Sequence, residues 1–136
     1  VSIDSILFLL GDLLFNFKSS ETYTKIINRI NCETIYILYG NHDNRNNLVE
    51  GAYFSGKKVI VLDYLEIMVD KTLVCMLHYP MEEWNDRHGK SYHLFGHVHG
   101  RIPHGNNRLD VGIDNYFKLF GSYKPFSWKE IKRLLQ

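Results

Sequence analysis

Apolar residues gather along the chain in short runs separated by turn-forming and polar segments, which is the pattern of buried strands rather than of a helical bundle. The runs are "ILFLL" at 6–10, "TIYILY" at 34–39, "VIVL" at 59–62, "LEIMV" at 65–69, "LVCML" at 73–77 and "YHLF" at 92–95. Between the first two, in "SSETYTKIINRIN" (19–31), Tyr23, Ile26, Ile27 and Ile30 recur at helical spacing and predict an amphipathic helix crossing from one strand to the next. Near the end, Ser127 and Glu130 make a capping box, and "WKEIKRLL" then places Trp128, Ile131, Leu134 and Leu135 on one face of a helix. Asp70-Lys71 marks a tight turn between two strands, so part of the sheet is antiparallel. The resulting fold class is α/β, a layered mixed β-sheet flanked by helices, in a single domain spanning 1–136.

Bulk properties narrow the function classes. With 136 residues, 45% of them hydrophobic, the chain builds one sizeable core. A net charge of +1, with no basic stripe, gives no reason to expect nucleic acid or an anionic membrane as a partner. No run reaches the roughly 20 apolar residues that span a bilayer, and "VSIDS" does not begin like a signal peptide. Cys32 and Cys75 are the two cysteines, and Cys75 within "LVCML" reads as a small buried thiol. A reducing cytoplasm is the expected compartment.

The residues just past the apolar runs point to chemistry. The first run leads into Gly11-Asp12, the second into Gly40-Asn41-His42-Asp43, the fifth into His78-Tyr79-Pro80, and the sixth into Gly96-His97-Val98-His99-Gly100. In open α/β sheets ligands bind beyond the carboxyl ends of the strands, so these groups are expected to meet along one sheet edge. The glycines permit a sharp turn or a close backbone approach. If 96–100 continued the strand, His97 and His99 would point to the same side and converge on a metal.

"GD" at 11–12, "GNHD" at 40–43, a lone histidine at 78 and "GHVHG" at 96–100, in that order, resemble the calcineurin-like metallophosphoesterases. The stretch 76–100, with "RLDVGIDNY" and "KPFSWKEI" after it, is similar to the compact bacterial and phage branch of that family. The resemblance implies hydrolysis of a phosphomonoester or phosphodiester, with a small phosphoester as the substrate. It implies one or two divalent transition ions (manganese, iron, zinc or nickel) and attack on phosphorus by a hydroxide that they hold. Asp12 would bridge two ions, Asn41, His78 and His97 would complete one shell, and His99 would serve the other. His42 would protonate the departing oxygen, Asp43 would orient its ring, and Arg45 would neutralise a phosphate oxygen. Arg87 and Arg101 are weaker candidates for that last role, and His88, His93 and His104 read as surface or packing residues.

The family also carries an Asp-x-His at the end of its first strand. Here Asp4 is the only acid before Asp12, and Ile6 stands two residues beyond it. The first strand and its motif are therefore expected to be missing. That would leave one well-furnished ion site, a second with only Asp12 and His99, and an open apolar sheet edge prone to self-association. The alternative function is a truncated, catalytically silent metal-binding domain acting as an interaction or regulatory module. Segments 44–58 and 82–91 read as loops that would shape the substrate site.

Overall fold

A computed structural model describes residues 2–15 and 19–136, and the chain divides into two compact units, Val1–Asp63 and Tyr64–Gln136. In the first, β1 (Ile6–Leu9), β2 (Thr34–Leu38) and β3 (Lys58–Leu62) form a parallel sheet in the order β1-β2-β3. Ile6 pairs with Thr34, and Thr34 with Lys58. Parallel neighbours need crossovers, which α1 (Ser20–Arg29) and α2 (Arg45–Phe54) supply. The central strand is the most buried: Ile35, Ile37 and Leu38 are sealed from solvent, while β1 lies at an edge and leaves Ile6 exposed.

The helix α1 begins where expected, with the Ser19 hydroxyl accepting from the Thr22 amide, and it turns Tyr23 and Ile27 into the core. In contrast, α2 falls where a loop was expected. Its N-cap is Asn44, whose side-chain oxygen accepts from the Asn47 amide, and its buried residues are Leu48, Gly51 and Ala52. A stripe built from two such small residues carries little hydrophobic signal, and the bulky Tyr53 and Phe54 face solvent. Smallness is what the packing needs, because a Cβ on Gly51 would lie 2.5 Å from the Tyr23 Cβ and 2.7 Å from the Ser20 carbonyl oxygen.

The second unit holds a separate four-stranded sheet in the order β4-β5-β6-β7: β4 (Tyr64–Val69), β5 (Thr72–Leu77), β6 (Tyr92–Phe95) and β7 (Arg108–Asp110). The first pair is antiparallel, and the others are parallel. Asp70 and Lys71 both take positive φ, +47° and +65°, as the mirror-image turn of a two-residue hairpin requires. The strands therefore sort into two sheets, one wholly parallel and one mixed, where a single mixed sheet was expected. Two helices come after them, α3 (Ile113–Phe120) and α4 (Trp128–Leu135), the latter with the predicted reciprocal Ser127/Glu130 capping box. Trp128 Nε1 and Lys132 Nζ both donate to Asp70 Oδ2, at 2.9 and 3.0 Å, and so tie α4 to the hairpin turn. Among the described residues no helix is long and apolar enough to cross a membrane.

His93 is a packing residue, sealed between Trp84 and Phe95, while His88 and His104 are exposed. Its Nδ1–H donates to the Cys75 carbonyl at 3.1 Å, and its Nε2 accepts from the Met81 amide at 3.0 Å. A proton on Nε2 would face another N–H, so the ring is neutral, and burial holds its pKa below the ordinary 6.5. The unfolded chain takes up a proton at this residue as pH falls through about 6.5 and the folded chain does not. Stability is then complete above that pH and falls below it, by up to about 1.4 kcal/mol per pH unit from this residue. Thermal melts between pH 7.5 and 5.5 should show the loss, and the His93 Cε1 proton resonance should titrate below the ordinary 6.5. A normal titration of that resonance would contradict the assignment.

Candidate functional site

In the first unit the turns after β1 and β2 clasp each other. Gly11 and Asp12 have φ of +92° and +55°, which lifts the chain sharply out of β1. The Asp12 amide donates to Asp43 Oδ2 at 2.8 Å, and Asp12 Oδ1 accepts from the His42 amide at 2.9 Å, so the two turns exchange hydrogen bonds across 30 and 31 residues of sequence. Asp43 Oδ2 also accepts from the Gly40 amide at 3.1 Å, and Oδ1 accepts from the Leu14 amide and the Tyr23 hydroxyl, both at 3.3 Å. The approach at Gly40 admits no side chain: a Cβ there would sit 2.1 Å from Asp12 Oδ1 and 2.2 Å from the Asp12 amide nitrogen.

The Asp43 carboxylate is thus spent on backbone amides and Tyr23, not on the His42 ring as expected. Three N–H groups at strand ends need an acceptor, and Asp43 is the acid placed to satisfy them. The exposed His42 imidazole instead lies 4.6 Å, centroid to centroid, from the ring of Phe15. Asn41 is exposed in the same turn. Arg45 opens α2, where its guanidinium bonds both oxygens of Asp63 and lies 3.7 Å over the Tyr39 ring. Those hydrogen bonds hold the Asp63 carboxyl below its usual range. The expected role on phosphate would require this exposed, solvent-screened pair to open.

In the second unit, β5 delivers His78 to a buried position, and its carbonyl accepts from the Gly96 amide at 3.0 Å, continuing the pairing with β6. His97 comes from the following turn. Its ring meets the His78 ring at 5.1 Å with an interplanar angle of 68°, and Tyr79 packs 4.8 Å from each. Segment 96–100 is not a continuation of β6, because His97, His99 and Gly100 have φ of +65°, +51° and +67°. The expected convergence of His97 and His99 by strand alternation is therefore corrected. Val98 points inward between them, and the His99 ring bonds Asp114 through Nδ1 at 2.6 Å.

This turn has supports that sequence reasoning missed. Asp110, sealed from solvent at the end of β7, accepts from the Gly100 amide at 2.7 Å and from the Gly112 amide at 2.8 Å. Asn115 Nδ2 donates to the Asp110 carbonyl at 2.7 Å, and Lys118 Nζ donates to the His99 carbonyl at 2.7 Å. An acid flanked by leucine and valine in "RLDVG" was the available signal, since a carboxylate in apolar sequence must find donors. Arg101 is turned back onto the Val98 carbonyl, and Arg87 pairs with Glu83. Side chains of types that can hold a metal ion are thus present in each unit, Asp12 in the first and His78 and His97 in the second.

No protein-family model and no curated protein matches the chain. Solved structures do. A protein of unknown function from Aquifex aeolicus aligns with a TM-score of 0.66 and 19% identity, over 99% of this chain and 78% of its own. An archaeal phosphodiesterase aligns with a TM-score of 0.54 and 21% identity. The chain shares a phosphodiesterase's fold. At such identities the likeness is one of fold alone, and the aligned part spans 74% of this chain and 60% of the archaeal enzyme.

Proposed function

We propose that the chain is a divalent-metal-dependent phosphoesterase of the calcineurin-like type, acting on a small phosphoester. The observation that carries this reading is the His78/His97 pair beyond the ends of β5 and β6. Two imidazoles bound to one ion through nitrogens at about 2.1 Å, at tetrahedral to right-angled spacing, hold their ring centroids roughly 5 Å apart, which matches the pair. Nitrogen and carboxylate donors suit a divalent transition ion, so the residues present fit the group. In the first unit, Asp12 and Asn41 offer oxygen donors of the kind such ions take. When bound, the ion supplies Lewis acidity and a nucleophile at neutral pH.

The chain's own residues do the rest. Asp12 is aimed by the His42 amide on its Oδ1, and Asp43 holds both turns so that the carboxylate does not drift. His42, exposed at the tip of its turn and steadied by Phe15, gives its ring proton to the leaving oxygen. The same peptide unit therefore both orients the metal-binding carboxylate and carries the acid.

Metal-stripped protein titrated with Mn²⁺ by calorimetry, alongside hydrolysis of bis(p-nitrophenyl) phosphate, tests the reading. At least one ion per chain and turnover that appears only with the ion are expected. No binding at micromolar Mn²⁺, Zn²⁺, Ni²⁺ or Fe²⁺ would overturn it, and binding without turnover on mono- or diesters would make the chain a silent metal-binding module.

A further inference from the structure

We infer that Asp114 is a positioning residue for His99: it fixes the ring as the Nδ1–H tautomer and leaves Nε2 as the donor offered to a second divalent ion. The inference rests on the metal-dependent reading above and extends it to a residue and a tautomer. A carboxylate oxygen only accepts, so the 2.6 Å contact between His99 Nδ1 and Asp114 Oδ2 places the proton on Nδ1. Among the described residues Nε2 has no partner, and both side chains stay accessible, at 58% and 50% exposure. A carboxylate on one ring nitrogen with the other nitrogen open is how ligating histidines are held and made more basic.

The pair is part of a built support. The first turns of α3 grip the 96–100 turn at several points: Asp114 on the His99 ring, Lys118 on the His99 carbonyl, and Asn115 on Asp110, which in turn holds the Gly100 amide. The fit is tight, since a Cβ on Gly100 would come within 2.6 Å of Asn115 Oδ1. Asp114 and Lys118, one helical turn apart on α3, hold the ring and the backbone of the same residue. A solvated surface histidine needs none of this. The arrangement sets both the position and the tautomer of a side chain whose backbone is already left-handed.

Two readouts test it. In metal-free protein at pH 8.5, long-range ¹⁵N–¹H correlation spectra should show His99 as the Nδ1–H tautomer. Asp114→Ala should shift it towards the Nε2–H form favoured in solution, and Asp114→Asn should restore Nδ1–H, because the amide oxygen can still accept. In Mn²⁺ titrations, Asp114→Ala should weaken the weaker of two bound ions by about 10–100-fold, with the tighter ion unchanged and Asp114→Asn close to wild type. A wild-type ring protonated on Nε2, or an Asp114→Ala chain that binds both ions as wild type does, would overturn the inference. If the wild-type chain binds a single ion, His99 is no ligand and the inference falls while the phosphoesterase reading stands. If it binds none, that reading falls, and the tautomer spectra still decide whether Asp114 sets the ring.

Discussion

His97→Ala is expected to strip the bound ion and abolish hydrolysis, whereas His42→Ala is expected to keep the ion and slow turnover by about 10²–10⁴-fold, the usual contribution of a positioned general acid. The contrast comes from the groups each imidazole touches. The His97 ring meets the His78 ring, and its loss removes a donor outright, so the fall in affinity should exceed the about 10–100-fold typical of removing an outer-shell partner. The His42 ring meets Phe15, and it is the backbone amide of His42 that holds Asp12, so alanine keeps that hydrogen bond. Elemental analysis of both variants beside initial rates on the diester gives the answer. Equal loss of metal from both would sink the assignment of roles.

Gly40→Ala is expected to be nearly as damaging although it deletes nothing. The added methyl would fall 2.1 Å from Asp12 Oδ1 and 2.2 Å from the Asp12 amide, and the second of these atoms is backbone that cannot rotate away. The turn after β1 must retreat, and the Asp43 hydrogen bonds to Asp12 and Gly40 go with it. Overpacking of this kind costs about 1–3 kcal/mol, and the displaced carboxylate should also lose the ion. Gly56→Ala is the control: it has positive φ but nothing within 4 Å of its Cβ, so it should cost only about 1–2 kcal/mol of backbone strain and leave metal binding alone. Melting temperature and Mn²⁺ affinity measured together separate the two. A Gly40→Ala chain that binds Mn²⁺ normally would mean that the clasp has more room than the geometry allows.

How much of the molecule could be read from its sequence varied with the range of the interaction. Strands β1 to β6 were legible because each is a short apolar run closed by turn residues, and α1 and α4 because bulky residues repeat at helical spacing. The strand β7 has three residues, too few to show a period, and α2 hides its stripe in Gly51 and Ala52. The glycine, histidine and acid clusters at strand ends were visible as composition, and Gly40 was rightly expected to allow a close approach. Their hydrogen-bond partners were not visible. Whether Asp43 would hold the neighbouring ring or the Asp12 amide 31 residues away depends on which strands lie side by side. Likewise His99 and Asp114 are 15 residues apart, joined by a turn whose handedness no hydropathy pattern encodes.

Asp12, His97 and His99 all sit in the left-handed region of backbone space, where a Cβ carries a cost of about 1–2 kcal/mol that glycine would not incur. Under the proposed function, these are also three positions where side-chain donors are indispensable. Thermal robustness and activity then pull against each other at all three. A glycine at any of them would relax the backbone and remove a donor, so under that reading these turns accept a backbone cost in exchange for chemistry.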